Sequence, residues 1–329
     1  MNKELDEREE VAQTASSAHG GERQPKVRSK HSIERGGLIF TGICVGLVVV
    51  LVVTLIFMVC SRGIATFAHD GISLGSFLSG TTWNPHSKGA DGQPLMGALP
   101  MICGSFAVTL LSCVISLPFA LGASIFVVEV QPTFGQKVFR PMVELLTGIP
   151  SVVYGLVGLS IVVKWTSSWA GGTGYGIFSG SIVLALMILP TVTSLATDAI
   201  AAVPDSYRDG SYGLGCTRWQ TILHVVLPSA MPGIVTAVIM GMTRAFGEAL
   251  AIQMVIGNAA QMPTGLFTPA STLTSVLTMG MGNEAMGTVY NDVLWSLAMV
   301  LLLMSLVFIL IVHLIGRKGA AKNGKRRDR

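Results

Sequence analysis

The chain has 329 residues, of which 50% are hydrophobic and only 12% charged, with a formal net charge of +4. A soluble protein carries roughly 25% charged residues; a charge content half of that, with a mean hydropathy of +0.62, excludes a water-soluble domain and makes this a polytopic membrane protein with no nucleic-acid partner. The five cysteines (Cys44, Cys60, Cys103, Cys113 and Cys216) show no CxxC or Cys/His spacing, so they read as small apolar fillers and no metal is expected.

Residues 1–36 hold seven acidic and seven basic residues around a Ser/Gly/Gln-rich middle. Such a segment cannot bury a core and is expected to be a disordered tail; it is too long and too acidic for a cleaved signal peptide. Gly37–Cys60 carries no charge over 24 residues and is the first span. Residues 61–95 form a polar loop containing Trp83, Asn84 and Pro85. Gly92–Val128 is charge-free for 37 residues, more than one span of about 20 and less than two spans with a loop. Pro118 and Gly122 are expected to break it into a second span near Met96–Leu117 and a shorter continuation.

Leu145–Val163 makes the third span, followed by a small loop with Lys164, Trp165 and Trp169. Ser179–Ala196 makes the fourth, with Pro190 near its end. A polar loop at about 199–229 precedes the fifth span, Met231–Ile256, and residues 257–292 read as another loop. Val293–Ile315 is the sixth span, with Tyr290 and Trp295 at one end and Arg317 and Lys318 at the other, the usual interfacial anchors. The organisation is thus a six-helix transmembrane domain over 37–316 and a basic tail over 317–329, whose KNGKRRDR run is an orientation and lipid-surface signal.

Six spans put both termini on one side. That side holds 18 Lys and Arg residues: seven in each tail, Lys137 and Arg140 in one loop, Arg208 and Arg218 in the other. The opposite side has three, Arg62, Lys88 and Lys164, and the last cation, Arg244, falls inside a span. The positive-inside rule therefore places both tails and the 199–229 loop in the cytoplasm.

Within that loop the order is Asp209, Gly210, Ser211, then Gly215 six residues after Asp209, then Val225, Leu227 and Pro228. This spacing resembles the "EAA" signature of ABC-importer permeases, with Asp for Glu, Gly and Ser for the alanines and Val for Ile. Small residues let a short helix seat closely in a partner's cleft, Gly215 permits the turn after it, and Leu227-Pro228 is suited to ending one helix and starting the next. In that family the element is the coupling helix that docks on the ATP-hydrolysing subunit; the alternative is an ordinary amphipathic loop. The chain has no GxxxxGK[ST] phosphate cradle, so an ATPase driving it is a separate polypeptide.

Arg244 lies about 13 residues into the expected fifth span, or roughly 20 Å at 1.5 Å per residue, close to the bilayer centre. A charge there costs at least about 2.5–3.5 kcal/mol and points to a transport pathway. Glu248, four residues on, is expected on the same helix face and within pairing reach. The Arg fork suits tetrahedral oxyanions, so the pair is either an anion contact in the pathway or a structural salt bridge. Gly148, Pro150 and Ser151 are candidates for pathway lining or for close helix packing. Met240, Met242 and Met254 read as adaptable packing, and His69, His86 and His313 as solvated or interfacial.

The resemblance narrows on longer segments. TRAFGEALAIQMVIGN (Thr243–Asn258) is similar to the RA-x-GE…M-VIGN segment of PstC-type permeases of the phosphate ABC importer. ELLTGIPSVVYGLVGL (Glu144–Leu159) resembles that family's third-span signature, and FLSGTTWNP (Phe77–Pro85) with GALP (Gly97–Pro100) its first outside loop. The likeness covers about residues 37–316. It implies an all-α, six-helix, type I ABC importer permease fold in a bacterial cell membrane, with inorganic phosphate as cargo. It makes Arg244 and Glu248 the pair on which transport depends. The implied partners are a homologous PstA-type permease, two copies of an ATP-binding subunit and an extracytoplasmic phosphate-binding protein. This chain would bind no cofactor and do no covalent chemistry; ATP–Mg would sit on the partner ATPase. The rivals are a permease for sulfate, molybdate or phosphonate, a membrane sensor or scaffold, and an ion-coupled secondary transporter, whose usual internal repeat is not found.

Overall fold

A computed structural model describes residues 28–69, 72–88 and 94–325. The expected tail up to residue 27, the last four residues of the basic tail and the side chains of His69 and His86 lie outside the described residues. Six helices among the described residues are long and apolar enough to cross a membrane. The first, α1 (Arg28–His69), begins within the segment expected to be a tail, and its apolar part is Gly37–Ala68. Residues up to Phe57 form a unit of their own, in which Leu38, Phe40, Val50 and Phe57 are exposed along the helix. That all-round apolar surface suits lipid.

Residues from Met58 on form the second unit. A short helix α2 (Leu74–Ser79) and a hairpin of β1 (Trp83–Lys88) and β2 (Pro94–Met96) follow α1, with Trp83 opposite Met96. The segment expected to be a polar loop thus carries structure, anchored by Phe77 in a core with Met96, Met101, Leu273, Leu294 and Leu297. Helix α3 spans Leu99–Val130, its last turn, Phe126–Val130, being a π turn. Pro118 and Gly122 do not break it. In lipid a break would expose several backbone groups, whereas one proline forfeits a single bond. Hydroxyls lining the helix return bonds to the backbone: Ser124 donates to Ala120 O at 2.7 Å and across to Thr193 O at 3.0 Å.

Helix α4 (Arg140–Thr147) ends at Gly148, and Pro150 sits in extended conformation before α5, which runs Ser151–Ala170 through a π turn at Gly158–Val163. The third span therefore starts six residues later than expected, after the Gly-Ile-Pro break. Helix α6 (Ile177–Ala201) is the buried centre of the unit, with Val183, Leu184, Met187, Ile188, Val192 and Ala196 all enclosed. Helix α7 (Asp205–Gly213) leads to α8 (Arg218–Phe246), which lies close on α6. A Cβ built on Gly233 would stand 2.5 Å from Ala199 Cβ, and one on Gly241 2.4 Å from Val192 Cγ2; these glycines allow the close approach.

Leu227-Pro228 does not separate two helices. Pro228 lacks the N–H that would bond back to residue 224, and a π turn over Ile222–Val226 absorbs the defect, so α8 is continuous. The fifth span consequently begins at Arg218 and ends at Phe246, displaced toward the N-terminus from the expected 231–256. After a break come α9 (Leu250–Val255), then α10 (Leu273–Asn283) and α11 (Val289–Lys325). Residues 257–292, expected as a loop, contain α10 and a buried stretch that packs into the unit. Gly257 (φ +95°) pairs with Ala270, Ala270 to Ser275 are buried, and Thr272 caps α10 reciprocally with Ser275.

Candidate functional site

Arg244 occupies the last turn of α8, yet it is level with the middle of α6: its Nη1 donates to Thr191 Oγ1 at 2.8 Å. The residue is half-buried. Arg244 thus lies at the end of its own span and not at its middle as expected from sequence, although it is level with the middle of α6. The helix was entered at Arg218, well before the apolar run, and the chain then breaks at Gly247.

Glu248 is not on the same helix face. It follows the Gly247 cap, so the four-residue register is lost, and its Oε1 accepts from Ala251 N at 3.1 Å in the first turn of α9. A carboxylate at a helix N-terminus is satisfied by free N–H groups there. Among the described residues no ion pair joins Arg244 to Glu248 or to any other acid. The expected pairing is therefore not formed among the described residues.

Gly148, Pro150 and Ser151 form the break between α4 and α5; Gly148 and Pro150 are exposed and Ser151 half-buried. Tyr154, one turn into α5, spans that break by donating its hydroxyl to Leu146 O at 2.9 Å. Tyr154 also packs on the cluster containing Ala245, the residue after Arg244, and Ile252. Through Tyr154 the Gly-Ile-Pro-Ser break is thus tied to the cluster that includes Ala245, next to Arg244 in the chain. Tyr154 and Thr191 were not singled out from sequence, since a single hydroxyl in an apolar run gives no periodic or charge signal.

In the 199–229 segment, Asp209 and Gly210 are exposed on α7, while Ser211 is buried and bonded to Thr221 at 2.9 Å. That bond ties α7 to the start of α8. Gly215 makes the turn between them at φ +81°, with Gly215 N donating to Tyr212 O at 2.9 Å. Thr217 caps α8 in a reciprocal box with Gln220. Val225, Leu227 and Pro228 lie within the bent first half of α8 and not at a helix boundary. Open space surrounds both Gly210 and Gly215, and Tyr212, Leu214 and Trp219 are exposed beside them.

The sequence reading also missed the charges that hold this segment in place. Glu129, at the end of α3, is buried and takes Arg208 of α7 at 2.8 Å. Arg218 of α8 donates to the Glu129 carbonyl. Glu129 could have been noticed as the acid that ends a 37-residue charge-free run, but only the fold supplies its partner.

Comparison with known proteins follows this geometry. Residues 116–318 match the model of the family described as binding-protein-dependent transport system inner membrane component. The chain is 46% identical over 285 residues to a probable ABC transporter permease protein, YqgH, of Bacillus subtilis, covering 86% of this chain and 91% of that one. It is 31% identical over 269 residues to the phosphate transport system permease protein PstC of Mesorhizobium japonicum, covering 76% of this chain and 80% of that one. Among solved structures it is similar to a chain of a bacterial alginate ABC transporter in complex with an alginate pentasaccharide-bound periplasmic protein. There the TM-score is 0.59 at 15% identity, over 88% of this chain and 96% of that chain, which shows a shared fold. With six spans, this fold and these relatives, the chain belongs to the family of inner-membrane permease components of binding-protein-dependent ABC importers.

Proposed function

We propose that the chain is the permease through which an ABC importer carries inorganic phosphate into a bacterial cell. The observation that carries the reading is Arg244: a guanidinium level with the middle of α6, bonded to a hydroxyl and not to a carboxylate. A half-buried charge at this depth without a counter-ion is costly, and a passing oxyanion would supply the missing charge transiently. Thr191 fixes one face of the fork and leaves other N–H donors for the anion. The similarity to PstC permeases supports phosphate among the oxyanions.

In this reading the chain pairs with a homologous PstA-type permease and two ATP-binding subunits, with ATP–Mg on the latter and both termini cytoplasmic. An extracytoplasmic phosphate-binding protein delivers the anion to the opposite face. ATP closure of the ATPase pair draws the α7 segments together and opens the cavity outward, and hydrolysis resets it. The chain itself makes and breaks no covalent bond. Uptake of labelled phosphate and labelled sulfate by cells with and without the chain tests the cargo. Deletion is expected to remove phosphate uptake, whereas loss of sulfate uptake with phosphate retained overturns the proposal.

Gly215→Val tests the docking role of the α7–α8 turn. The surroundings have room for a side chain, so the penalty is conformational: φ +81° is disfavoured for a β-branched residue by more than the ~1–2 kcal/mol typical of left-handed backbone. The expected result is a reoriented α7 and loss of binding-protein-stimulated ATP hydrolysis, measured on the purified complex. Unchanged stimulated hydrolysis and uptake would remove the turn from the coupling path.

A further inference from the structure

The most heavily bonded charge in the described part of the molecule is Arg208. Its five N–H donors make five bonds to four acceptor atoms. Nε and Nη2 reach Glu129 Oε1 at 3.0 and 2.8 Å, Nη2 also reaches Ile200 O at 3.1 Å, and Nη1 reaches Val203 O at 2.6 Å and Asp205 Oδ1 at 3.0 Å. The Glu129 side chain is 5% exposed and that of Arg208 13%. The fork therefore joins three elements at one point: the π turn ending α3, the carbonyl end of α6, and α7. Pro204 has no N–H to return to Ile200 O, which accepts instead from Val203 N and from the guanidinium. Arg218, from the first turn of α8, donates to the carbonyls of Glu129 and Val130, which the ending of α3 leaves without helical donors. The α7 segment is thus fastened to α3 through both of its flanking arginines.

A merely solvated cation on a loop would make none of these bonds, and a surface ion pair would contribute little. A buried pair whose every donor is used fixes geometry, because a displaced Arg208 would lose several acceptors at once. Lys could not replace it, having no planar fork. The packing around it is continuous: Ile200, Val203, Val226, Ala230 and Ile234 form one buried cluster, with Val128 and Tyr207 against it.

We propose that Glu129 and Arg208 form a strut that makes α7 move as one body with the adjoining ends of α3 and α6, so that displacement of α7 reaches two spans without being absorbed in the loops. This deepens the importer reading and rests on α7 being the segment driven by the ATPase. Without the strut, α7 can shift while α3 and α6 stay, and ATP is hydrolysed without transport.

The test uses the fully assembled complex in proteoliposomes, with Glu129→Gln and with the double variant Glu129→Gln, Arg208→Gln, which leaves no unpaired buried charge. Nitroxide labels at Ser206→Cys and Leu186→Cys, both exposed positions, report the distance between α7 and α6 with and without ATP. In the otherwise wild-type complex that distance is expected to stay constant; in both variants it changes with ATP or its distribution broadens. Phosphate moved per ATP hydrolysed falls by roughly 5-fold or more, the scale of a typical coupling energy. A double variant with a constant distance and wild-type uptake per ATP overturns the strut. Failure of both variants to co-purify with the ATPase also overturns it, by assigning the pair to assembly alone. A wild-type complex that hydrolyses ATP but moves no phosphate refutes the cargo and leaves the label distances to decide the strut.

Discussion

Arg244→Gln is expected to lower phosphate uptake by the assembled complex by about 10- to 100-fold, the loss of roughly 1.5–3 kcal/mol carried by a charge-assisted hydrogen bond. The glutamine amide can still donate to Thr191 Oγ1, so the hydrogen bond that ties Arg244 to α6 keeps a substitute. Ala245 and Phe246 beside it remain in their packed positions, and α8 stays seated through Gly233 and Gly241. What disappears is the positive charge. Arg244→Lys separates charge from shape: a lysine keeps the charge but offers no bidentate face, and its uptake should lie between the two. Initial rates of labelled phosphate uptake, normalised to complex purified from the same membranes, make the measurement. Wild-type uptake by Arg244→Gln would end the pathway role. Loss of the partner subunits on purification would show instead that the residue holds helices together.

The features legible in the sequence were those written in runs. Six apolar stretches, and cations confined to alternate connections, give six spans without any knowledge of contacts, and the Asp209–Pro228 spacing marks the α7–α8 segment. The failures share one cause. Reading a span as an absence of charge starts the fifth helix too late, because Arg218 and His224 look like loop. The helix in fact begins at Arg218, with the cation used on the Glu129 carbonyl. The same habit placed Arg244 and Glu248 on one helix, although Gly247 and the α9 N-terminus separate them. Pro118 and Leu227-Pro228 looked like stops, which holds in water better than in lipid, where an interrupted ladder costs more than one missing bond. Tyr154, Thr191 and Glu129 went unremarked, and Arg208 was counted only as a cytoplasmic cation, since their roles depend on a partner 53 or more residues away or across a helix break.

Gly104→Val is the substitution expected to harm the fold most, and its effect comes from the segment that looked least structural. A Cβ on Gly104 of α3 would stand 2.1 Å from Ser271 O, and the obstructing atom is backbone, which no rotamer change can move. Residues 270–272 would have to lift off α3. That would pull Leu273 N from Ser105 Oγ, a buried bond of 2.9 Å, and unseat the Thr272–Ser275 box that begins α10. It would also disturb the pairing of Gly257 with Ala270, immediately beyond α9 and the Glu248 carboxylate. Overpacking of this kind costs about 3 kcal/mol or more, or a fall of roughly 6–12 °C in thermal midpoint for a unit of this size. Gly122→Ala on the same helix is the control: nothing lies within 4 Å of the new atom, and alanine is the better helix former. Thermal unfolding of the purified complex, followed by intrinsic fluorescence, should separate the two, with Gly122→Ala at or slightly above the wild-type midpoint. Equal midpoints would mean that residues 257–272 are held less tightly than the contact with α3 requires. Residual uptake in Gly104→Val at low temperature would then report whether that segment serves only to close the fold or also to position α9 beside Arg244.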